Sequence, residues 1–415
     1  MTGDIDNAEA KWWSFSTAGR VSFGVGCQRF LPDVVEEFGS RVLICTDANL
    51  VAAGVIERVV ESLRTVPGLH VLVYDEGQAE IGFQGAERCV AQVKDFGADV
   101  IVGIGGGSNL DLAKVVAVRL VDERPIESWS AQGVPTHALP VIAMPTTAGT
   151  GSEVTPIAVL TDEAHQVKVG FQGRSLLPRA VLVDPLLTVS CPPSVTAFSG
   201  MDALSHAIET FTSISYERKP VQRYADQAFV GKNPVSDALA KESIALIGRS
   251  LVTAVRKGDD LGARTDMALG SLLAGMAFAA GGTAIVHALQ YPLGALTKTA
   301  HGLGNAVLMP AVVRFNTPDR VPEMAEVARL LGSQSSTDEA AAAELPDILA
   351  TLALSVGITP DLRYLGVEES DIDSLAAAAV RITRLVSNNP RAADEPALAG
   401  VLRDALDYQP STTAS

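Results

Sequence analysis

Near residue 190 the hydropathy pattern changes its period, and this limits the fold more than any other feature of the chain. Before it, short β-branched runs alternate with longer mixed stretches: RVLICTD at 41–47, HVLVYDE at 70–76, ADVIVGIGGGS at 98–108, PVIAMPTT at 140–147 and AVLVD at 180–184. These runs read as strands. The segments between them, such as AAGVIERVVESLRTV and GAERCVAQVKDFG, carry apolar residues at helical spacing. The order is therefore β-α-β-α, and the sheet is expected to be mostly parallel. From about Ser194 onward strand signals vanish and Ala- and Leu-rich helical patterns take over. The expected architecture is a doubly wound α/β domain over 1–190 followed by an all-α domain over 191–415. A chain of 415 residues is long enough for two such cores.

Composition narrows the function. With 47% hydrophobic and 19% charged residues, the bulk of the chain must be folded, because disordered chains are poorer in apolar residues and richer in charge. A net charge of -16 without any basic cluster argues against a nucleic-acid partner, since phosphate binding needs a surplus of Lys and Arg. Cys27, Cys45, Cys89 and Cys191 lie far apart with no CxxC pair, which predicts reduced, packed thiols. The start, MTGDIDNAEAKWW, lacks the basic and apolar regions of a signal peptide, so a cytoplasmic location is expected. Met267 to Thr297 contains no Asp, Glu, Lys or Arg and is long enough to span a bilayer. Gly281, Gly282, Gln290 and Pro292 interrupt it and it carries a histidine, so it is read as a helix buried inside the protein, with no membrane partner.

The strand at 98–104 runs into Gly105, Gly106, Gly107 and Ser108, and a helix then begins around Asp111 to Lys114. Glycines at such a turn let backbone N–H groups approach a pyrophosphate, and a helix N-terminus favours negative charge. The turn is neither GxGxxG nor a P-loop, and taken alone it is a tight turn as often as a nucleotide site. A second loop, TTAGTGSEVT at 146–155, follows another strand and offers hydroxyls and glycines to a phosphate, a ribose or a nicotinamide. Asp47 ends its strand where an acidic side chain accepts ribose hydroxyls and repels the extra phosphate of NADP; its plain alternative is a helix N-cap.

In the second half, every histidine falls in one constellation. Asp202 and His206 lie four apart in GMDALSHAIET, one helical turn, so both can grip one ion. His287 lies in AIVHALQYPLG within the uncharged run, and His301 opens the next helical pattern. Each alone has a bland reading as a cap, a core histidine or a surface residue. Together they favour a metal site, because a buried imidazole in an uncharged span needs a partner. Three neutral imidazoles and one carboxylate suit a first-row divalent ion, Fe²⁺ or Zn²⁺, between which the sequence does not choose.

Through GGGSNLDLAK, MPTTAGTGSEVT, GMDALSHAIE and AIVHALQYPLG followed by AHGLGNAVLMP, the chain resembles the iron-containing (group III) alcohol dehydrogenases over about residues 15–405. The resemblance implies a dehydroquinate-synthase-like fold with the ion in the cleft between a nucleotide domain and a helical domain. It implies metal ligation by Asp202, His206, His287 and His301, with iron favoured over zinc. It also implies NAD binding at Asp47, at Gly105, Gly106, Gly107, Ser108 and Asp111, and at Thr146, Thr147, Gly149 and Ser152. Many members carry a second histidine four residues after the first ligand of the uncharged helix, thought to assist proton transfer. Here Tyr291 stands there, either as a proton relay or as pocket lining. Tyr291 and the long loop at 213–240 look like the branch that contains hydroxyacid-oxoacid transhydrogenases.

The expected function is metal-dependent hydride transfer between an alcohol, or its aldehyde or ketone, and NAD, with His287, His301 and Tyr291 at the reacting centre. The nearest rival is a transhydrogenase with tightly held NAD acting on hydroxy and oxo acids, for which Lys168, Arg218 and Arg223 are candidate anion-binding residues. A lyase or synthase using NAD transiently on the same fold and a non-catalytic binding protein are weaker rivals. A homodimer or larger homo-oligomer is the base-rate expectation.

Overall fold

A computed structural model of the chain describes residues 11–165, 167–219 and 229–408. Six strands form its main sheet: β1 (Val21–Phe23), β2 (Arg41–Cys45), β3 (His70–Tyr74), β4 (Val100–Gly105), β5 (Val141–Pro145) and, after a hairpin, β8 (Ala180–Val183). The order is β1-β8-β5-β4-β2-β3 and every pairing is parallel. Helices cover both faces, so the strands are buried on both sides and read as continuous apolar runs instead of alternating ones. Val42, Ile44, Val100, Val102 and Ile104 pack into one face's core, while Leu43, Cys45 and Ile101 pack into the other.

Three strands carried too little signal in the sequence. β1 is three residues long at the sheet edge. β6 (Ile157–Asp162) and β7 (Val167–Gln172) form an antiparallel hairpin outside the main sheet. The five expected strands end a few residues earlier than their apolar runs, because ladder pairing stops where turn and cap residues begin; Thr46 and Asp47 already belong to the turn after β2.

From Pro193 the described chain is helical apart from its connections, and one large apolar cluster joins the helices Pro193–Thr212, Pro234–Arg256, Leu261–Gly281, Ile285–Thr297 and His301–Asn316 with the C-terminal helices. The uncharged run is not one helix. It bends by 105° between Leu261–Gly281 and Ile285–Thr297. Gly282 adopts a φ of 83° at the bend. The Asn388 side-chain amide donates to the carbonyls of Gly281 and Thr283 at 3.0 Å each, and the Thr210 hydroxyl donates to that of Gly282 at 3.2 Å. The carbonyls freed by the break therefore keep partners. Among the described residues no single helix is long and apolar enough to cross a membrane.

Candidate metal and cofactor site

In the sheet, the direction of winding reverses between β2 and β4, and the crevice beyond the C-terminal ends of such strands is where doubly wound folds take ligands. Asp47 and the glycine turn lie at that crevice. The Asn109 side-chain amide ties them together, donating to Asp47 Oδ2 at 2.6 Å. Asp47 also caps the helix Ala48–Ala52, its Oδ1 accepting from the N–H groups of Asn49 and Leu50 at 2.9 and 3.1 Å. Gly105 has a φ of 148°, and a Cβ there would strike the Asn109 side chain at 2.2 Å, so only glycine fits. The helix Gly107–Arg119 starts immediately after Gly106 without a side-chain cap. Its first N–H groups have no partner within the helix and are free to meet an anion.

Register brings the second loop beside the first. Gly105 pairs with Pro145, so Thr146 and Thr147 emerge next to the glycine turn, with the Thr147 side chain against Gly106 and that of Thr150 against Gly107. Gly149 lies against Ser199 of the helix Pro193–Thr212, joining the loop to the helical half. Asp111 and Ser152 are bound to each other. The Ser152 hydroxyl donates to Asp111 Oδ1 at 2.5 Å, and the buried Lys114 ammonium donates to Ser152 Oγ and to the Ile157 carbonyl at 2.7 Å each. The N–H of Val159 donates to Asp111 Oδ2 at 2.8 Å. Asp111 and Lys114 thus fasten the β6–β7 hairpin to the glycine-turn helix, and Asp111 and Ser152 line the cavity. The Ser108 hydroxyl donates to the carbonyl of Ala79 at 2.5 Å.

The metal candidates converge from three helices. Asp202 and His206 come from one turn of Pro193–Thr212, His287 from Ile285–Thr297 and His301 from the first residue of His301–Asn316. Gly302 permits the last approach, since a Cβ there would sit 2.1 Å from the Phe198 carbonyl oxygen. Asp202 Oδ1 lies 4.0, 3.8 and 3.7 Å from Nε2 of His206, His287 and His301. Ligand atoms arranged tetrahedrally about 2.0–2.1 Å from an ion stand roughly 3.4 Å apart. The three distances from Asp202 exceed this by only a few tenths of an ångström, and the donor set of three imidazoles and a carboxylate fits a divalent first-row ion. Among the described residues, Asp202, His206 and His287 have ligand atoms within 4.8 Å of one another, and His301 approaches the group through Asp202.

Protonation suits the same purpose. Burial pulls His206 down to about 4 and His301 down to about 3, so both rings are neutral near pH 7. Burial opposes ionisation of Asp202, but the three histidines and the Asn305 amide outweigh it and hold the carboxyl below its ordinary value. Burial also opposes a charge on His287. There the Glu209 carboxylate prevails and raises the ring above its usual value, and a cation bound there would displace the Nε2 proton.

Two functional residues escaped the sequence reading. Glu209 Oε2 accepts from His287 Nδ1 at 2.5 Å and Oε1 accepts from the N–H of Val286 at 2.7 Å, turning His287 Nε2 toward Asp202. Asn305 donates to Asp202 Oδ1 at 2.7 Å. Both had a signal available: Glu209 lies three residues after His206 and Asn305 four after His301, each on its ligand's helix face.

The profile of the iron-containing alcohol dehydrogenases matches residues 18–185, and that of the C-terminal part of the Fe-containing alcohol dehydrogenase family matches residues 196–406. The chain belongs to the iron-containing alcohol dehydrogenase family. Long-chain-alcohol dehydrogenase 1 of Geobacillus thermodenitrificans is 38% identical over 94% of this chain and 97% of its own length. The crystal structure of a 1,3-propanediol oxidoreductase superposes with a TM-score of 0.87 at 32% identity, over 95% of this chain and 100% of that one. The structure of sulfoacetaldehyde reductase from Bifidobacterium kashiwanohense in complex with NAD⁺ superposes with a TM-score of 0.83 at 27% identity, over 96% and 100% of the two chains. The family and the fold class expected from the sequence are thus those found.

Within this family frame, one cavity of about 310 Å³ joins the metal candidates to the glycine turn, lined on one side by Gly107, Ser108 and Thr150 and on the other by Asp202, His206, His287 and His301. Some 29% of the His301 side chain is accessible, so a ligand in the cavity reaches it. Tyr291 lines the cavity with its ring 6.0 Å from that of His301. Burial holds its phenol above the ordinary value of 10, and it is therefore a hydrogen-bond donor at neutral pH. Of the three basic residues named from the sequence, Lys168 lines the cavity but donates to Glu80 at 2.8 Å. Arg218 is exposed and outside the lining, and Arg223 lies outside the described residues.

Proposed function

We propose that the chain transfers hydride between a primary or secondary alcohol, or the matching aldehyde or ketone, and NAD, using a divalent ion held by Asp202, His206, His287 and His301. The observation that carries this reading is that the four candidate ligands and the glycine turn open onto the same cavity. The substrates in the relatives' names, a long-chain alcohol, 1,3-propanediol and sulfoacetaldehyde, share a hydroxyl or carbonyl carbon, which supports it. Iron is the first expectation for the ion and zinc the second.

A divalent ion in this donor set supplies Lewis acidity that lowers the pKa of an alcohol hydroxyl, and NAD supplies the carbon that accepts the hydride. The chain's own groups supply position and charge. Glu209 fixes the His287 ring and Asn305 holds the Asp202 carboxylate. Gly105, Gly106, Gly107 and Ser108 with the helix start would hold the pyrophosphate of a bound NAD, Asp47 its adenine ribose, and Thr146, Thr147 and Gly149 its nicotinamide end. The NAD half of the chain and the metal half divide near residue 190.

Metal analysis of the purified protein, paired with NADH absorbance on simple alcohols, tests the reading. One divalent ion per chain and NAD-dependent turnover are expected, and His287→Ala is expected to lose both; full activity in a metal-free variant would overturn the scheme. Turnover between a hydroxy acid and an oxo acid without added NAD would instead identify the transhydrogenase rival.

A further inference from the structure

Among the cations lining the cavity, Arg384 is uncommitted. It projects from the short helix Thr383–Val386 into the wall that also contains Tyr291 and His287. Its guanidinium lies 4.4 Å from the centroid of the Phe229 ring, and among the described residues no carboxylate pairs with it and no acceptor bonds it. The other cavity cations are engaged: Lys168 with Glu80, and Lys114, behind the wall, with Asp111 and Ser152. A second positive group aggravates the position. Lys219 donates to Asn388 Oδ1 at 3.0 Å, and burial and then the Arg384 charge disfavour its ammonium. Two half-buried cations thus lie within electrostatic reach of each other, and an anion that entered the cavity and met Arg384 would relieve their repulsion.

The rest of the wall restricts what that anion belongs to. The lining that Arg384 shares with the metal candidates also includes Phe229, against the Arg384 guanidinium, Phe278, stacked on His206, and the apolar Ile157 and Leu160, surfaces suited to methylene groups. A guanidinium fork matches the paired oxygens of a carboxylate or sulfonate. The cavity is at the small end of the range for ligand sites, roughly 300–1,000 Å³.

We propose that Arg384 determines specificity by receiving the terminal carboxylate or sulfonate of a short hydroxyalkanoate or hydroxyalkanesulfonate whose carbinol carbon sits at Asp202, His206, His287 and His301. The inference rests on the hydride-transfer reading above. In the step it implies, a hydroxy acid and NAD⁺ give an oxo acid, NADH and a proton. The carbinol C–H and O–H bonds break, the C=O bond forms, the hydride goes to NAD⁺ and the proton to solvent. The anionic group is unchanged and serves only as a handle.

The test compares substrates that differ at that handle, on the metal-loaded protein with NAD: 4-hydroxybutyrate, 2-hydroxyethanesulfonate and 1,4-butanediol. Wild type is expected to favour one of the two anions over the diol. Arg384→Met is expected to lose roughly 10- to 100-fold of kcat/KM on that anion, mostly through KM, in keeping with lost charged hydrogen bonds. Its loss on the diol should be at least about tenfold smaller, and Arg384→Lys should recover part of the difference. Which anion is preferred identifies carboxylate or sulfonate as the handle. Equal losses on anion and diol, or a wild type that prefers the diol, would overturn the proposal. If no substrate yields NADH, the dehydrogenase reading itself fails, and calorimetric titration with 4-hydroxybutyrate and 2-hydroxyethanesulfonate decides the anion site. Binding that Arg384→Met abolishes would support it, and no binding to wild type would refute it.

Discussion

Single atoms decide whether three histidines make a ligand set. His287 presents Nε2 to Asp202 because Glu209 accepts the hydrogen bond from its Nδ1–H, and removing that acceptor frees the ring to turn. Glu209→Gln is expected to weaken metal affinity about 10- to 100-fold, measurable by competitive chelator titration, with the fold retained. Tyr291 is protonated at neutral pH, so it donates a hydrogen bond but does not accept a proton. Tyr291→Phe should therefore cost less than about tenfold in kcat and leave the pH profile in place, whereas a true acid–base group would cost on the order of 100-fold or more. Glu153 gives a pH signature. Burial pushes its carboxyl up to about 7 from an ordinary 4.5, so between those values the folded chain holds a proton that the unfolded chain has released. Its contribution is complete below the lower value, declines as pH rises and is gone above the upper one. The unfolding free energy of wild type from urea titration should thus fall relative to that of Glu153→Gln between about pH 5 and pH 8, by on the order of 1–3 kcal/mol.

At the scale of elements, the bend in the uncharged run does most to aim ligands. A straight helix through Gly282 would carry His287 away from Asp202, and the bend persists because Asn388 satisfies two carbonyls that it exposes. Asn388→Ala should destabilise the chain by roughly 2–4 kcal/mol in denaturant unfolding, the cost of two buried acceptors left without a donor. Much at this scale was legible in the sequence. The five long strands of the main sheet announced themselves as β-branched runs, and Asp202 and His206 as an i,i+4 pair, because burial and helical spacing act locally. The edge strand β1 and the β6–β7 hairpin were not, since three residues give no period and the hairpin is held by Asp111 and Lys114 from a distant helix. The bend was foreseen only as glycines that interrupt an apolar run. Its sharpness depends on a side chain 107 residues from Gly281.

For the whole molecule, the site depends on two halves meeting, and a sequence pattern says little about such a meeting. The glycine turn was legible in one half and the candidate ligands in the other; Arg384 was not, because its meaning arises only where it meets Phe229 and Tyr291. An ion that joins three helices should stabilise the fold as well as the chemistry. Chelator treatment is expected to lower the melting temperature by several degrees, and added Fe²⁺ or Zn²⁺ to restore it, consistent with roughly 3–4 kcal/mol for a ligand present at 100–1,000 times its Kd. The link between Asn388 and the carbonyls of Gly281 and Thr283 also bears on biosynthesis. A ribosome delivers the most apolar stretch of the chain about a hundred residues before the amide that secures its corner. Nascent chains must meanwhile carry that stretch unsecured. Polypeptides ending shortly before residue 388 are accordingly expected to partition into the insoluble fraction when produced in cells, while the full chain does not.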